Sequence, residues 1–265
     1  NYKKTKLIRE SFMCFDLDSS PPVNKIYGAS VSHQDTVLTS ADGTEFAAFI
    51  AEGGKENSPG IVVLPDVRGL YKFYEELALR FAESGYDAIA IDYFGRTAGV
   101  AKRDDDFDFM EHVAQTKVSQ VIEDTNAAID KLQESSSNKS RSIFTVGFCY
   151  GGSSSWMQST QSSINGAIGF YGNPTRDSRD GTPGPIQRVN EFQSPILGLM
   201  GGDDAGIPVE EVEKFRSALN NANVQNELII YNNAPHSFFD RKYEEFKSES
   251  ADAWDQVLTF INQHA

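Results

Sequence analysis

The apolar run Ile143-Phe144-Thr145-Val146 leads into Gly147-Phe148-Cys149-Tyr150-Gly151-Gly152 and then into a segment of helical character. A thiol set between a strand and a helix, with glycine two residues away on either side, fits a nucleophile on a sharp turn. Such a turn closes only if the flanking positions are small, and the amino end of the following helix favours the thiolate. The plain alternative is a buried cysteine between glycines, because cysteine is among the most buried residue types. A nucleophile needs a base, and the chain has four histidines. His33 lies in an N-terminal arm, His112 on a long amphipathic segment and His264 at the C-terminal end. His236, in Asn232-Asn233-Ala234-Pro235-His236-Ser237-Phe238, directly follows a predicted strand. The carboxylate that would hold the imidazole tautomer comes from Gly202-Asp203-Asp204. Asp204 is favoured because it stands four residues before Pro208, where the next helix begins, which leaves Asp203 as a turn or capping residue. The order Cys, Asp, His across three separate strand ends is more specific than any one motif.

These side chains need a scaffold that brings distant strand ends together. Thr36-Val37-Leu38-Thr39 and Glu45-Phe46-Ala47-Ala48-Phe49-Ile50 flank Ala41-Asp42-Gly43, a hairpin signal. From Gly60 onward strands and helices alternate: strands at 60–64, 88–91, 143–146, 167–171, 196–200 and 227–231, and helices at 71–84, 106–132, 152–159, 209–220 and 241–263. The fold class implied is α/β, a mostly parallel central sheet with helices on both faces and ligand sites at the carboxyl ends of the strands. Residues 34–265 read as a single domain, preceded by an arm or leader over 1–33. Because Met13 follows a charged stretch, one reading starts natural translation there.

Composition sets outer limits. The chain has 265 residues, 39% of them hydrophobic, enough for a sizeable core. The net charge of −14 disfavours nucleic-acid and membrane-surface partners, and the apolar runs are far shorter than the roughly 20 residues a membrane span needs. Two cysteines, Cys14 and Cys149, make no disulfide framework, which points to free thiols and a reducing, cytoplasmic setting.

From about Asp35 to Ala265 the sequence resembles the dienelactone hydrolases, cysteine members of the α/β-hydrolase fold. The resemblance runs through Leu64-Pro65-Asp66-Val67-Arg68-Gly69-Leu70, Asp92-Tyr93-Phe94-Gly95-Arg96, Gly147-Phe148-Cys149-Tyr150-Gly151-Gly152, Gly202-Asp203-Asp204 and Pro235-His236-Ser237-Phe238. It implies hydrolysis of an activated ester or enol-lactone, a small molecule bearing a carboxylate, through a thiol ester and without metal or organic cofactor. It implies Cys149 as nucleophile, His236 as general base and later acid, Asp204 as the orienting carboxylate, and Asp66 as a carboxylate that interacts with the resting thiol and takes part in its activation when substrate binds. The oxyanion hole would be the backbone N–H groups of Tyr150 and Val67. Arg96 matches one of the family's two carboxylate-binding arginines. For the second, the chain has Asp240 at the family position and Arg241 one step later. Tyr93 and Phe238 stand near strand ends where they could wall the pocket.

Other readings remain open at this stage. A glutamine-amidotransferase-like enzyme also uses a Gly-x-Cys-x-Gly turn, but carries Glu two residues after its histidine, where this chain has Phe238. A thiol redox or binding protein, or a broader carboxylesterase, would use the same fold. Trp156 reads as core. Asp104-Asp105-Asp106 reads as a helix-start cluster rather than a metal site, and the loop with Arg176, Arg179 and Arg188 as a lid, an anionic-substrate entrance or a solvated loop.

Overall fold

The computed structural model describes residues 19–54, 58–104, 106–134, 141–161, 163–239 and 245–265. Cys14, Asp105, Asp240 and Arg241 lie outside the described residues. Eight strands form one sheet: β1 (Ser32–Thr39), β2 (Glu45–Glu52), β3 (Gly60–Leu64), β4 (Asp87–Ile91), β5 (Ile143–Phe148), β6 (Gly166–Phe170), β7 (Ile196–Gly201) and β8 (Asn226–Tyr231). Their order is β1-β2-β4-β3-β5-β6-β7-β8. β1 pairs antiparallel with β2 and β2 with β4, while every pairing from β4 to β8 is parallel. Seven α-helices are described: α1 (Lys72–Glu83), α2 (Gly95–Ala98), α3 (Phe109–Val113), α4 (Val118–Glu134), α5 (Tyr150–Gln158), α6 (Val209–Asn221) and α7 (Lys247–His264).

The central strands read as short runs buried on both faces, and successive side chains sort to opposite sides. Ile61 and Val63 of β3 join one apolar cluster with Phe73, Leu77 and Phe81 of α1 and Val257 and Ile261 of α7. Val62 and Leu64 join the other, with Val121, Ile129 and Leu132 of α4, Trp156 of α5 and Phe215 of α6. Burying a large apolar side chain contributes about 1.5–3 kcal/mol, so these faces, more than helix propensity, hold the helices in place. Trp156 is fully buried and donates its indole N–H to Leu197 O at 3.0 Å.

Register brings the chemistry to one edge. Leu64 pairs with Gly147, Phe148 with Phe170, Phe170 with Leu199, and Gly201 with Tyr231. The segments carrying Asp66, Cys149, Tyr171, Asp204 and His236 therefore leave the sheet side by side.

The continuous helix expected over 106–132 is two helices. α3 ends at Val113, and α4 starts afresh at Val118, whose N–H donates to Asp180 at 2.9 Å, while Lys117 N–H donates to the Gln120 side chain at 3.2 Å. Met110, expected on the apolar side, is 41% exposed because it belongs to the short separate turn.

One buried carboxylate ties together two of the loops that leave this edge. Asp92 accepts from Leu70 N (3.0 Å) and Phe94 N (2.8 Å), and is held by Arg103 through Nε (3.2 Å) and Nη2 (2.7 Å). The Asp92 side chain has no exposure and that of Arg103 only 4%. Removing one member of a buried pair strands the other charge, at a cost of about 3–5 kcal/mol. Asp92→Asn should therefore lower the urea-unfolding free energy by about that amount. An unchanged unfolding midpoint would show that the pair does not hold these loops.

Candidate functional site

The turn at the end of β5 is fixed by sterics. A Cβ on Gly147 would lie 1.8 Å from Gly151 O, and one on Gly151 would lie 2.1 Å from Leu64 O and 2.2 Å from Pro65 O. No side chain fits either place, so α5 packs directly onto the backbone of β5 and the end of β3. Between them Cys149 adopts φ 56° and ψ −111°, a strained conformation of the kind stored at functional turns. Its N–H donates to Phe170 O at 3.0 Å, and its carbonyl accepts from Gly152 N at 3.0 Å, which locks the turn between β6 and α5. The partly exposed thiol stands at the amino end of α5, where the helix dipole favours negative charge.

Of the two adjacent carboxylates, Asp204 reaches the histidine. Its Oδ2 lies 2.6 Å from His236 Nδ1, and its Oδ1 accepts from Gly206 N at 2.8 Å. The Asp204 side chain is 2% exposed and that of His236 34%, so the pair has a buried end and an open end. With Nδ1–H donated to Asp204, Nε2 is the basic nitrogen of the ring. Asp203 is a turn residue whose N–H donates to Ala234 O at 2.9 Å. The His236 ring lies 4.8 Å from that of Tyr171, the residue that follows the strand partner of the elbow.

The loop after β3 is pinned amide by amide. Asp66 N donates to Tyr74 Oη (2.9 Å), Arg68 N to Asp66 Oδ1 (2.9 Å), Gly69 N to Asp66 O (3.1 Å) and Leu70 N to Asp92 (3.0 Å). Among the described residues, Val67 N–H alone in this run has no acceptor. The Tyr93 hydroxyl donates to Pro65 O at 2.8 Å, and burial pushes its pKa well up, keeping the donor proton in place. Asp66 itself is fully buried. Its carboxylate takes Arg68 Nε at 3.4 Å and Nη2 at 3.0 Å and the Tyr71 hydroxyl at 3.2 Å. The Arg68 guanidinium also donates to Tyr71 Oη and sits over the Tyr71 ring, 4.3 Å from its centroid. Burial works against the Arg68 charge, but Asp66 and the two tyrosines outweigh it and raise the pKa.

Of the expected substrate-binding residues, Arg96, Tyr93 and Phe238 lie among the described residues. Arg96 donates to Asp42 at 2.8 Å, to both oxygens of Asp124 at 2.8 and 3.0 Å, and to Ser40 at 3.1 Å, joining the β1–β2 turn to α4. Its hydrogen bond holds Asp42 down at about 2, whereas burial pushes Asp124 up against the pull of Arg96. Tyr93 is buried and packs edge-on against Tyr150, centroids 5.3 Å apart. Phe238 is fully buried beside Tyr171 and Tyr231, and its carbonyl accepts from Ser250 Oγ at 3.1 Å. In the arginine-bearing loop, Asp180 caps α4 and Arg188 pairs with Glu191. Among the described residues no group of three or more His, Cys, Asp or Glu could hold a metal ion, and no helix is long and apolar enough to cross a membrane.

Sequence reasoning passed over Arg68, Tyr71 and Tyr74. Their only signal was proximity to Asp66, since an arginine two residues from a carboxylate reads as ordinary surface charge until the loop is seen folded inward.

Residues 46–265 match the dienelactone hydrolase family. The "Putative carboxymethylenebutenolidase" of Escherichia coli (strain K12) is 30% identical over 216 residues, covering 78% of this chain and 77% of that protein. The protein of the same name from Yersinia pestis is 29% identical over 235 residues, covering 84% and 86%. The crystal structure titled "Putative Dienelactone Hydrolase" from Klebsiella pneumoniae subsp. pneumoniae MGH 78578 matches with a TM-score of 0.78 at 25% identity, covering 88% of this chain and 99% of that one. With a match from β2 to the last residue, and with the strand order and elbow already described, this α/β-hydrolase chain belongs to the dienelactone hydrolase family.

Proposed function

We propose that the protein hydrolyses an activated ester or enol-lactone, a small carboxylate-bearing molecule, through a thiol ester on Cys149. The observation that carries this reading is the thiol on its strained turn at one strand end, with Asp204 and His236, 2.6 Å apart, two and three strand ends away. His236 Nε2 takes the proton of the Cys149 thiol, the thiolate attacks the carbonyl carbon, and the carbonyl oxygen takes up negative charge facing the N–H groups of Tyr150 and Val67. The carbon–oxygen bond to the leaving enol or alcohol then breaks, and protonated His236 returns a proton to it. Water, deprotonated by His236 Nε2, attacks the thiol ester, and the thiolate leaves. Asp204 holds the imidazole orientation and stabilises its charged form throughout.

A cysteine suits good leaving groups, because a poor alkoxide competes badly with the thiolate for expulsion from the same tetrahedral intermediate. Amides and unactivated alkyl esters are accordingly poor substrates. An anionic substrate reaching Arg96 would have to compete with Asp42 and Asp124 for its guanidinium. Arg96 therefore fits better as a brace of the site wall, with Tyr93 supporting the loop after β3 and Phe238 packed against Tyr171, whose ring also contacts His236. A substrate carboxylate is assigned to Arg241, one step after the family position of the second arginine, on the family resemblance alone.

Two sets of variants test the reading. On an activated aryl ester or enol-lactone, Cys149→Ala should lose at least about 10³-fold in kcat. Cys149→Ser should be slower than the parent, and a faster Cys149→Ser would contradict the thiol-ester route. Asp204→Asn should lower kcat by about 10²- to 10⁴-fold through the wrong imidazole tautomer, while Asp203→Asn stays close to the parent. The reverse ranking would reassign the orienting carboxylate.

A further inference from the structure

The loop after β6 crosses the nucleophile turn. α4 follows β4 and runs back to the start of β5, so its first residue, Val118, lies at the same sheet edge as Cys149. α4 packs beside β3 and β4, and α5 beside β5 and β6, on the same face of the sheet. The loop leaves β6 at Tyr171. Its Asn173 carbonyl accepts from Ser153 Oγ of α5 at 2.9 Å, and its Asp180 Oδ2 accepts from Val118 N of α4 at 2.9 Å. Between those two pins the chain passes over the amino end of α5. Its tip is a tight turn: Gly181 N donates to Ser178 O at 3.0 Å, Ser178 N to Thr182 O at 2.9 Å, and Thr182 N to Asp180 Oδ1 at 2.9 Å. Gly181 has φ 84°, a value that favours glycine. Arg179 stands inside this turn, on a backbone held before any ligand arrives.

Arg179 also differs in its charge environment. Apart from Arg176 and Arg179, every arginine among the described residues pairs with a carboxylate. The guanidinium groups of these two have no hydrogen-bond or ion-pair partner among the described residues, although the chain carries a net charge of −14. Asp180, the acidic neighbour, has both oxygens engaged by backbone N–H groups. The charge of Arg179 reaches the residue next to the nucleophile: burial pushes the Tyr150 hydroxyl up, and the Ser154 hydrogen bond and the Arg179 charge pull against it. A guanidinium left unpaired keeps its planar fork of N–H donors, which matches a carboxylate in two parallel hydrogen bonds.

We infer that Arg179, at the tip of the loop that crosses the nucleophile turn, binds the substrate's carboxylate and selects for anionic esters. This assignment rests on the proposed function and names the residue that gives it its substrate class. It differs from Arg96, whose donors are already taken by Asp42, Asp124 and Ser40.

The test uses two esters with acyl chains of equal length, mono-p-nitrophenyl adipate, which carries a carboxylate, and p-nitrophenyl hexanoate, which does not. The quantity read is the ratio of kcat/KM for the adipate to that for the hexanoate, in the full-length parent, Arg179→Gln, Arg179→Glu, Arg176→Gln and Arg241→Gln. Arg179→Gln should lower the ratio by about 10-fold, through a higher KM for the adipate, as expected for one lost hydrogen-bonded charge contact. Arg179→Glu should lower it further. The parent's ratio should fall as ionic strength rises, and that of Arg179→Gln much less. A ratio unchanged in Arg179→Gln, including a parallel loss on both esters, would overturn the inference. Equal falls in Arg176→Gln and Arg179→Gln would overturn it in favour of the loop's average charge, and a fall confined to Arg241→Gln in favour of that residue. Cys149→Ala is run beside the parent on the hexanoate. Absence of Cys149-dependent turnover there would overturn the proposed function, and the role of Arg179 with it.

Discussion

Everything at this edge of the sheet depends on the near-contact between α5 and the backbones of β3 and β5. Gly147 and Gly151 leave no space for a single methyl group, the nearest backbone oxygens lying 1.8 and 2.1 Å from where a Cβ would stand. That closeness forces Cys149 into a strained φ, raises its thiol above the strand end and sets it at the start of a helix. It also brings the end of β3 against the elbow, so the amides of Tyr150 and Val67 come from two segments in direct backbone contact. A looser turn would separate the thiol from both.

The second organising feature is local charge balance. The protein carries a net charge of −14, and three guanidinium groups around the site have carboxylate partners: Arg68 with Asp66, Arg103 with Asp92, and Arg96 with Asp42 and Asp124. Buried pairs of this kind add little net stability relative to apolar packing, but they fix geometry, because displacing either partner strands a charge. Here they fix loops. Asp92 joins the segments after β3 and β4, Arg96 joins the β1–β2 turn to α4, and Asp66 with Arg68 stiffens the peptide that presents Val67.

The sheet, and the strand ends that carry Cys149, Asp204 and His236, were legible in the sequence because they follow short-range rules. Strand–turn–helix punctuation around Cys149 and the apolar runs of β3, β5, β6 and β7 all speak within about ten residues. Asp204 was separable from Asp203 by its place before the helix at Pro208. The break between α3 and α4 was not legible, because the Val118 N–H at the start of α4 is held by Asp180, 62 residues away in sequence. The same holds for Arg96. Its match to a binding arginine was readable, but its partners Asp42 and Asp124 come from other elements. Arg68 lay in plain view beside Asp66, and only the inward fold of the loop reveals that its charge is directed at that carboxylate.

The most direct test of the account is capture of the covalent intermediate. The protein should be mixed with an activated ester, quenched in acid within the first turnover, digested and examined by mass spectrometry. The account predicts an acyl group on the peptide containing Cys149, which disappears in the Cys149→Ala variant and accumulates when Asp204→Asn slows the hydrolysis of the thiol ester. Turnover of the same ester with acyl label on another residue, or with none at any quench time, would contradict it.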